Sequence, residues 1–200
     1  MSVKWKTKYD KLPEIIANAK TLNGKKVKVG AFDGEHAWLA SIHEFGCTIT
    51  PQNAQYLTVP TSPKSAGKKA SEFSDLWTLR ADSGELFLCR DTGKTTFEVL
   101  YWLTKSVTIP ERSFLRAGHD KNIDRVLRQT EQAVGQVLSG EMPMEKLYEL
   151  CGEQLATAIK KYARNLSSPP NSKITQEAKG SGNPLVDTGN MIESISWKVE

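Results

Sequence analysis

Hydrophobic and polar positions along this chain follow two periods, and the switches between them mark out its elements. Over residues 10–22, Leu12, Ile15, Ile16, Ala19 and Leu22 recur at helical spacing, with Asp10 placed to cap the start and Asn23-Gly24 to stop the helix. Residues 26–32 alternate instead, with Val27, Val29 and Ala31 on one side, and read as a half-buried strand that turns at Asp33-Gly34. Helical spacing returns over 35–45. There Trp38, Ile42 and Phe45 form one apolar stripe, and Gly46 ends it. A strand follows at 56–59 before Pro60, and residues 61–75, rich in Ser, Pro, Gly and Lys, read as a flexible loop. A β meander comes next: 76–80, a turn at Ala81-Asp82-Ser83-Gly84, a return over 85–90, and a turn at Asp91-Thr92-Gly93-Lys94. The strand after it, 95–108, is long. It places Phe97, Val99, Tyr101 and Leu103 on one face and Leu100 with Trp102 on the other, so it is either sandwiched or meets a partner.

The C-terminal half is helical by the same criterion. One helix is predicted over 111–139, with Ile123, Val126, Leu127, Val134, Val137 and Leu138 facing inward. Gly118 and Gly135 weaken it by up to about 1 kcal/mol each. Residues 140–143 break the chain, and a second helix over 144–166 carries Met144, Leu147, Tyr148, Cys151, Leu155, Ala158, Ile159 and Tyr162 as one stripe. So short a connection favours an antiparallel pair. Residues 167–183 read as a second flexible loop. Asp187 or Thr188 then caps a short helical turn, and 194–199 alternates as a last strand with Ile195, Trp197 and Val199. The expectation is an α+β fold in a single domain, 1–200. An antiparallel or mixed sheet packs on two long antiparallel helices, with a β-rich insertion at 50–108.

Composition changes this picture little. At 38% hydrophobic and 25% charged, the 200 residues are ordinary globular material. The three cysteines, Cys47, Cys89 and Cys151, make no CxxC pattern and suit a reducing compartment. No stretch is apolar enough to span a bilayer, and the lysine-rich start has no apolar signal core. The net charge of +4 reflects Lys4, Lys6, Lys8, Lys11, Lys20, Lys25, Lys26 and Lys28, which face only Asp10 and Glu14. That is a solvated basic face, or one that meets an acidic partner or passing DNA. Trp5 alone among the first lysines makes a poor stacking platform for single strands.

Candidate chemistry is sparse. His36 and His43 are two helical turns apart, about 10 Å, too far to share one metal ion. His43, Glu44 and Cys47 could ligate in principle, but helix-end packing accounts for them better. His119 stands alone in a helix. There is no GxSxG and no Cys–His arrangement, and neither Gly24 with Gly30 nor Gly180 with Gly182 has the context of a phosphate cradle. The expectation is a non-enzyme, with no catalytic or metal residue and no cofactor.

Three short motifs carry the functional reading. They are His43-Glu44-Phe45-Gly46, Ile109-Pro110-Glu111-Arg112-Ser113-Phe114-Leu115-Arg116, and Pro184-Leu185-Val186-Asp187-Thr188-Gly189-Asn190-Met191-Ile192-Glu193-Ser194-Ile195. The first stops a helix on glycine. The second starts one after proline, with Glu111 at the positive end of the dipole and Phe114 and Leu115 anchoring the helix start in the core. Arg112 and Arg116, four apart, share a helix face, either as solvated charges or as an intersubunit or intramolecular salt-bridge point. Order and wording resemble the neck and tail-completion (tail-component) proteins of tailed bacteriophages, over about residues 26–50 and 108–200. Residues 50–108 depart from the shorter members, and Ser113 stands where proline is common.

The resemblance implies a virion assembly protein at the head–tail junction, assembled in the host cytoplasm. Its partners would be further copies in a ring, connector or head-closure proteins, and tail-terminator or tail-tube proteins, with DNA in passing and no membrane. Arg112, Arg116, Leu100, Trp102, Lys173 and Lys179 are the candidate contacts. The loops 61–75 and 167–183 would order on assembly. The alternative is a nucleic-acid-binding accessory protein that uses the lysine-rich N-terminus.

Overall fold

A computed structural model describes residues 11–21 and 24–200, the side chains of positions 174 and 178 excepted. Asp10, Leu22, Asn23, Trp5 and the first three lysines lie outside the described residues. The fold is α+β, and the contacts divide it into two compact units, each assembled from separated stretches of chain. One unit gathers the described residues up to Ala37 with Phe114–Ala163 and Met191–Glu200; the other is Trp38–Ser113 with Arg164–Asn190. Among the described residues no helix is long and apolar enough to cross a membrane.

The first unit holds α1 (Leu12–Thr21), β1 (Val27–Ala31), the start of α2 (Gly34–Phe45), α3 (Phe114–Asp120), α4 (Ile123–Leu138) and α5 (Met144–Arg164). β1 pairs antiparallel with the last strand, Ile195–Val199, from Val27↔Val199 to Ala31↔Ile195. On α4 the buried residues are Val126, Thr130, Ala133 and Val137, at i, i+4, i+7 and i+11. With Leu147 of α5, Ala133 and Val137 form a cluster that Val134, Met142, Met144, Leu150 and Cys151 complete.

Two expectations change here. The predicted helix over 111–139 is two helices, because Asn122 leaves helical geometry (φ −120, ψ −16) and its side-chain amide donates to the Gly118 carbonyl at 2.8 Å. A short amide side chain offering the backbone an alternative partner ends a helix in this way. The apolar stripe on α1 is also left largely open, with Leu12 61% and Ile16 47% exposed. The helix is tied to α4 by a polar bond, Asn18 Nδ2 donating to the Val137 carbonyl at 3.1 Å.

Glycines 135 and 152 make a paired prediction. Gly135 on α4 has open space around its missing Cβ, whereas a Cβ at Gly152 on α5 would lie 2.5 Å from Cδ2 of Trp197. Gly135→Ala is expected to stabilise by about 0.5–1 kcal/mol through helix propensity. Gly152→Ala is expected to lose about 1–3 kcal/mol, because Trp197 must move to admit the methyl. Denaturant titration of both variants, with near-ultraviolet dichroism of the tryptophans, checks the opposite signs.

The second unit holds the rest of α2, then β2 (Cys47–Ile49), β3 (Leu57–Pro60), β4 (Leu76–Arg80), β5 (Leu86–Asp91), β6 (Phe97–Thr104), β7 (Val107–Ile109) and α6 (Lys173–Lys179). β3, β6, β5 and β4 form an antiparallel sheet in that order, and β2 pairs with β7. The long strand predicted over 95–108 is therefore two strands with different partners. Within β6 the register slips. Leu88 faces Tyr101 and Cys89 faces Val99, so Leu100 is the extra residue of a bulge. The bulge interrupts the in–out alternation, and Leu100 and Tyr101 are both only 1% exposed. Leu100 is thus a core residue rather than an assembly contact.

Neither predicted flexible loop is structureless. In 61–75, a 3-10 turn spans Ala70–Glu72, the Thr61 amide donates to the Leu100 carbonyl at 2.9 Å, and the buried Ser65 hydroxyl lies 2.6 Å from the same oxygen. Tyr101 donates its hydroxyl to the Lys68 carbonyl at 3.1 Å and packs edge-on against Phe73. Within 167–183, α6 is capped by Ser172, whose Oγ accepts from the Thr175 amide, and is stopped by Gly180 at φ 66.

Beyond α6, Asn183 Nδ2 donates to the Arg164 carbonyl at 2.7 Å, and its Oδ1 accepts from the amides of Leu185 and Val186. The short helical turn before the last strand becomes α7 (Asn190–Glu193), and the strand itself is β8 (Ile195–Val199). Thr188 serves this turn through Oγ1, which accepts from the Asn190 amide at 3.4 Å.

Candidate functional site

Within the second unit the three motifs meet. Gly46, at φ +70, lets the chain leave α2 and enter β2, where Cys47 faces Ile109 across the ladder. The site of its missing Cβ lies 2.8 Å from both the Glu111 amide nitrogen and the Ile109 carbonyl oxygen. Gly46→Ala is therefore strained twice, by the left-handed backbone and by contact with main chain. It is expected to cost about 2–4 kcal/mol, read as a lowered urea midpoint.

With the chain so placed, the Arg112 amide donates to the His43 carbonyl at 2.7 Å, one of the oxygens left over at the end of α2. The Arg112 side chain turns inward and is only 4% exposed. Its Nε donates to the Pro169 carbonyl at 2.9 Å, and Nη2 donates to Asn171 Oδ1 at 2.9 Å and to the Pro170 carbonyl at 3.4 Å. Nη1 lies 3.2 Å from His43 Nδ1. A guanidinium only donates, so Nδ1 is the acceptor and the neutral imidazole carries its proton on Nε2. Asn171 extends the network: its Nδ2 donates to the Pro184 carbonyl at 3.3 Å, and its own carbonyl accepts from Gln176 Nε2 at 2.7 Å. Glu44, 2% exposed, accepts from the Ser113 hydroxyl at 3.0 Å.

The electrostatics follow from this placement. Burial, and then the charges of Arg112 and Lys179, push the His43 imidazole down from 6.5 to about 4. Burial also lowers Arg112 from its ordinary value. His43 is therefore neutral near pH 7, and its one lone-pair nitrogen is committed to a cation, which leaves it unsuited to general-base work. His36 instead joins Asp33, which accepts from its amide and its ring, each at 2.8 Å. Among the described residues no group of three or more His, Cys, Asp and Glu is arranged to hold a metal ion.

The remaining sequence candidates separate. Arg116 is exposed on α3, while Arg112 precedes that helix and is buried, so the two do not share a helix face. Trp102 is half-buried, aligned between Val59 and Phe87. Lys173 is exposed, and Lys179 is half-buried within electrostatic reach of His43. Phe114 and Pro184 are fully buried, Leu115 is half-buried, and Pro110, Asp187 and Thr188 are exposed. Gly189 turns at φ 86, and the Ser194 hydroxyl donates to the Met191 carbonyl at 2.8 Å. The contribution of Asn171 was not legible in the sequence beyond its place after Pro169-Pro170.

Two of the three residues in the apolar stripe of α2 are open to solvent, while Ile42 is half-buried. Trp38 is 65% and Phe45 63% exposed, with Ile49 of β2 at 42%. In the first unit Leu127 of α4, expected to face inward, is 56% exposed on a groove of about 740 Å3. The chain matches no family model, no curated protein and no solved structure.

Proposed function

We propose that this protein is a non-enzymatic virion assembly protein of a tailed bacteriophage, a neck or tail-completion component at the head–tail junction. The observation that carries the reading is the convergence at Arg112 of the motifs that resemble that family. His43 and Arg112 bond to each other, Glu44 to Ser113, and Pro184 to Asn171. These residues are spent on holding chain segments together, which is what an assembly protein asks of its strongest sequence signals. The exposed aromatics of α2 fit the same reading, because large apolar groups left in water mark sites of protein contact. Its partners are further copies, connector or head-closure proteins, and tail-terminator or tail-tube proteins, and its place is the virion.

Electron microscopy of particles from a phage or induced prophage with an early stop codon in this gene tests the proposal. Full heads beside complete, unattached tails are the outcome for a junction component. Absent or aberrant tails place the protein in tail completion. Normal infectious particles overturn the reading.

A further inference from the structure

The groove of the first unit, about 740 Å3, is bounded by β1 on one side and by α3, α4 and α5 on the other, with Leu127, Val134, Cys151 and Leu155 among its apolar lining. Val27 and Val29 supply the lining from β1. The same strand has an unused edge. Its sheet holds β1 and β8 alone, so among the described residues β1 is paired on one side only.

The phase of that pairing decides which main-chain groups the free edge offers. The Lys26 amide donates to the Glu200 carbonyl at 2.6 Å and the Glu200 amide to the Lys26 carbonyl at 2.9 Å, so these two residues are a bonded pair. Bonded and non-bonded pairs alternate along an antiparallel ladder. Lys28 and Gly30 therefore bond to β8, while Val27, Val29 and Ala31 direct their N–H and C=O groups to the free edge. Val27 and Val29 thus present an apolar side chain and an open backbone at one place.

Residues opposite each other across a ladder share a face, so a segment laid along this edge must be apolar on one side and polar on the other. Residues 2–9, outside the described part of the chain, carry that alternation. Val3, Trp5, Thr7 and Tyr9 hold the odd positions, and Ser2, Lys4, Lys6 and Lys8 the even ones. The odd set is entirely β-branched or aromatic, the side chains that suit a strand.

Reach and direction agree. The first turn of α1 lies at the end of α4, where Glu14 Oε1 is 2.7 Å from the Cβ position of Gly140. Val134, about 9 Å back along α4, already lines the groove. β1 begins at this end too, because Lys25 shares a recess with Met144, the first residue of α5. A segment that leads back from α1 into the groove therefore runs antiparallel to β1. Eight extended residues span about 26 Å. The groove follows α4 from Ile123 to Val134, about 16 Å.

We propose that residues 2–9 add to β1 of the same chain as a third, antiparallel strand, with Val3, Trp5, Thr7 and Tyr9 in the groove and the lysines in water. Lysines on an edge strand discourage further pairing, which gives the basic start of the chain a role inside the fold. The inference goes beyond the assembly reading and does not depend on it.

Amide hydrogen exchange on the full chain, resolved by NMR, tests the proposal. In the wild type the Val27 and Val29 amides are expected to exchange slowly, as those of Lys28 and Gly30 do. The double variant Val3→Lys, Trp5→Lys puts charge on the apolar side. It is expected to speed exchange at Val27 and Val29 at least about tenfold and to leave Lys28 and Gly30 protected. Lys6→Ser, on the outer side, is expected to change none of the four, and circular dichroism checks that both variants fold. Free exchange at Val27 and Val29 in the wild type overturns the proposal, and so does protection that survives the double variant. Protection lost on dilution, in step with dissociation of an oligomer, overturns it as well, because the strand then comes from another copy.

Discussion

Replacing Arg112 with methionine is expected to destabilise the second unit by about 2–4 kcal/mol. The guanidinium is 4% exposed and serves the carbonyls of Pro169 and Pro170, Asn171 Oδ1 and His43 Nδ1. Methionine fills much of the volume and supplies no donor. A buried acceptor left unmet costs about 1–3 kcal/mol, reduced where water reaches it, as at the exposed Pro170. For a chain of this length the loss corresponds to roughly 5–15 °C in melting temperature. Lysine at the same position keeps the charge but not the planar fork, so Arg112→Lys is expected to recover less than half of the loss. A second readout separates this from loss of packing alone. Without the neighbouring guanidinium charge, the His43 imidazole moves back up from about 4 toward 6.5, seen by NMR titration. A loss below about 1 kcal/mol, with His43 unmoved, would show that the Pro169-Pro170-Asn171 segment is held by other contacts.

Acidification is expected to weaken the fold well before its carboxylates titrate. The unfolded chain binds a proton at His43 near 6.5, and the folded protein only near 4. Between those values the unfolded state holds more protons, so stability rises with pH across the window and is lost as pH falls from 6.5 to 4. Below 4 both states are protonated and the loss levels off. A gap of about 2.5 pH units corresponds to at most roughly 3.4 kcal/mol. The ring is only partly shielded from water, which reduces the expectation to about 1–3 kcal/mol.

The carboxylates of Asp33 and Glu98 are also held low, by the His36 amide and by Lys64 with Ser62 respectively. Their contribution is present above the ordinary carboxylate range and is lost only as pH falls below it, so the upper part of the window belongs to His43. In His43→Gln the side-chain carbonyl can still accept from Arg112 while nothing titrates. Urea unfolding at a series of pH values is expected to give a slope between 6.5 and 4.5 in the wild type and a flatter line in the variant. Parallel lines would remove His43 from the account.

Both predictions rest on contacts that no local pattern encodes. Arg112 and His43 are 69 positions apart, and Arg112 and Pro169 57. Read locally, Arg112 was one of a pair with Arg116 on a helix surface. α3 starts only at Phe114, so Arg112 lies ahead of the helix and its side chain is buried rather than on a helix surface. The slip in β6 was hidden for a similar reason. A bulge is set by how Leu88 and Cys89 pair across the sheet, and alternation along β6 alone carries no trace of it. Asn122 was closer to legible, since a short amide at 122 is a known competitor for helix carbonyls. It lay inside an otherwise helical stripe, and the stripe outweighed it.

The sequence by itself determined the kinds of elements, their order and many of their ends. The alternation of Val27, Val29 and Ala31, the glycine after Phe45, the turn between Arg80 and Leu86 and the alternating last strand each act within a few residues. Backbone geometry and side-chain periodicity are local, and so they are written locally. Tertiary structure decided which faces are buried. The stripe Trp38, Ile42 and Phe45 has the same helical spacing as Val126, Thr130, Ala133 and Val137. The first leaves its aromatics in water and the second is core. Burial depends on which surfaces the rest of the chain brings up to a face, and a periodic pattern states only that a face is apolar.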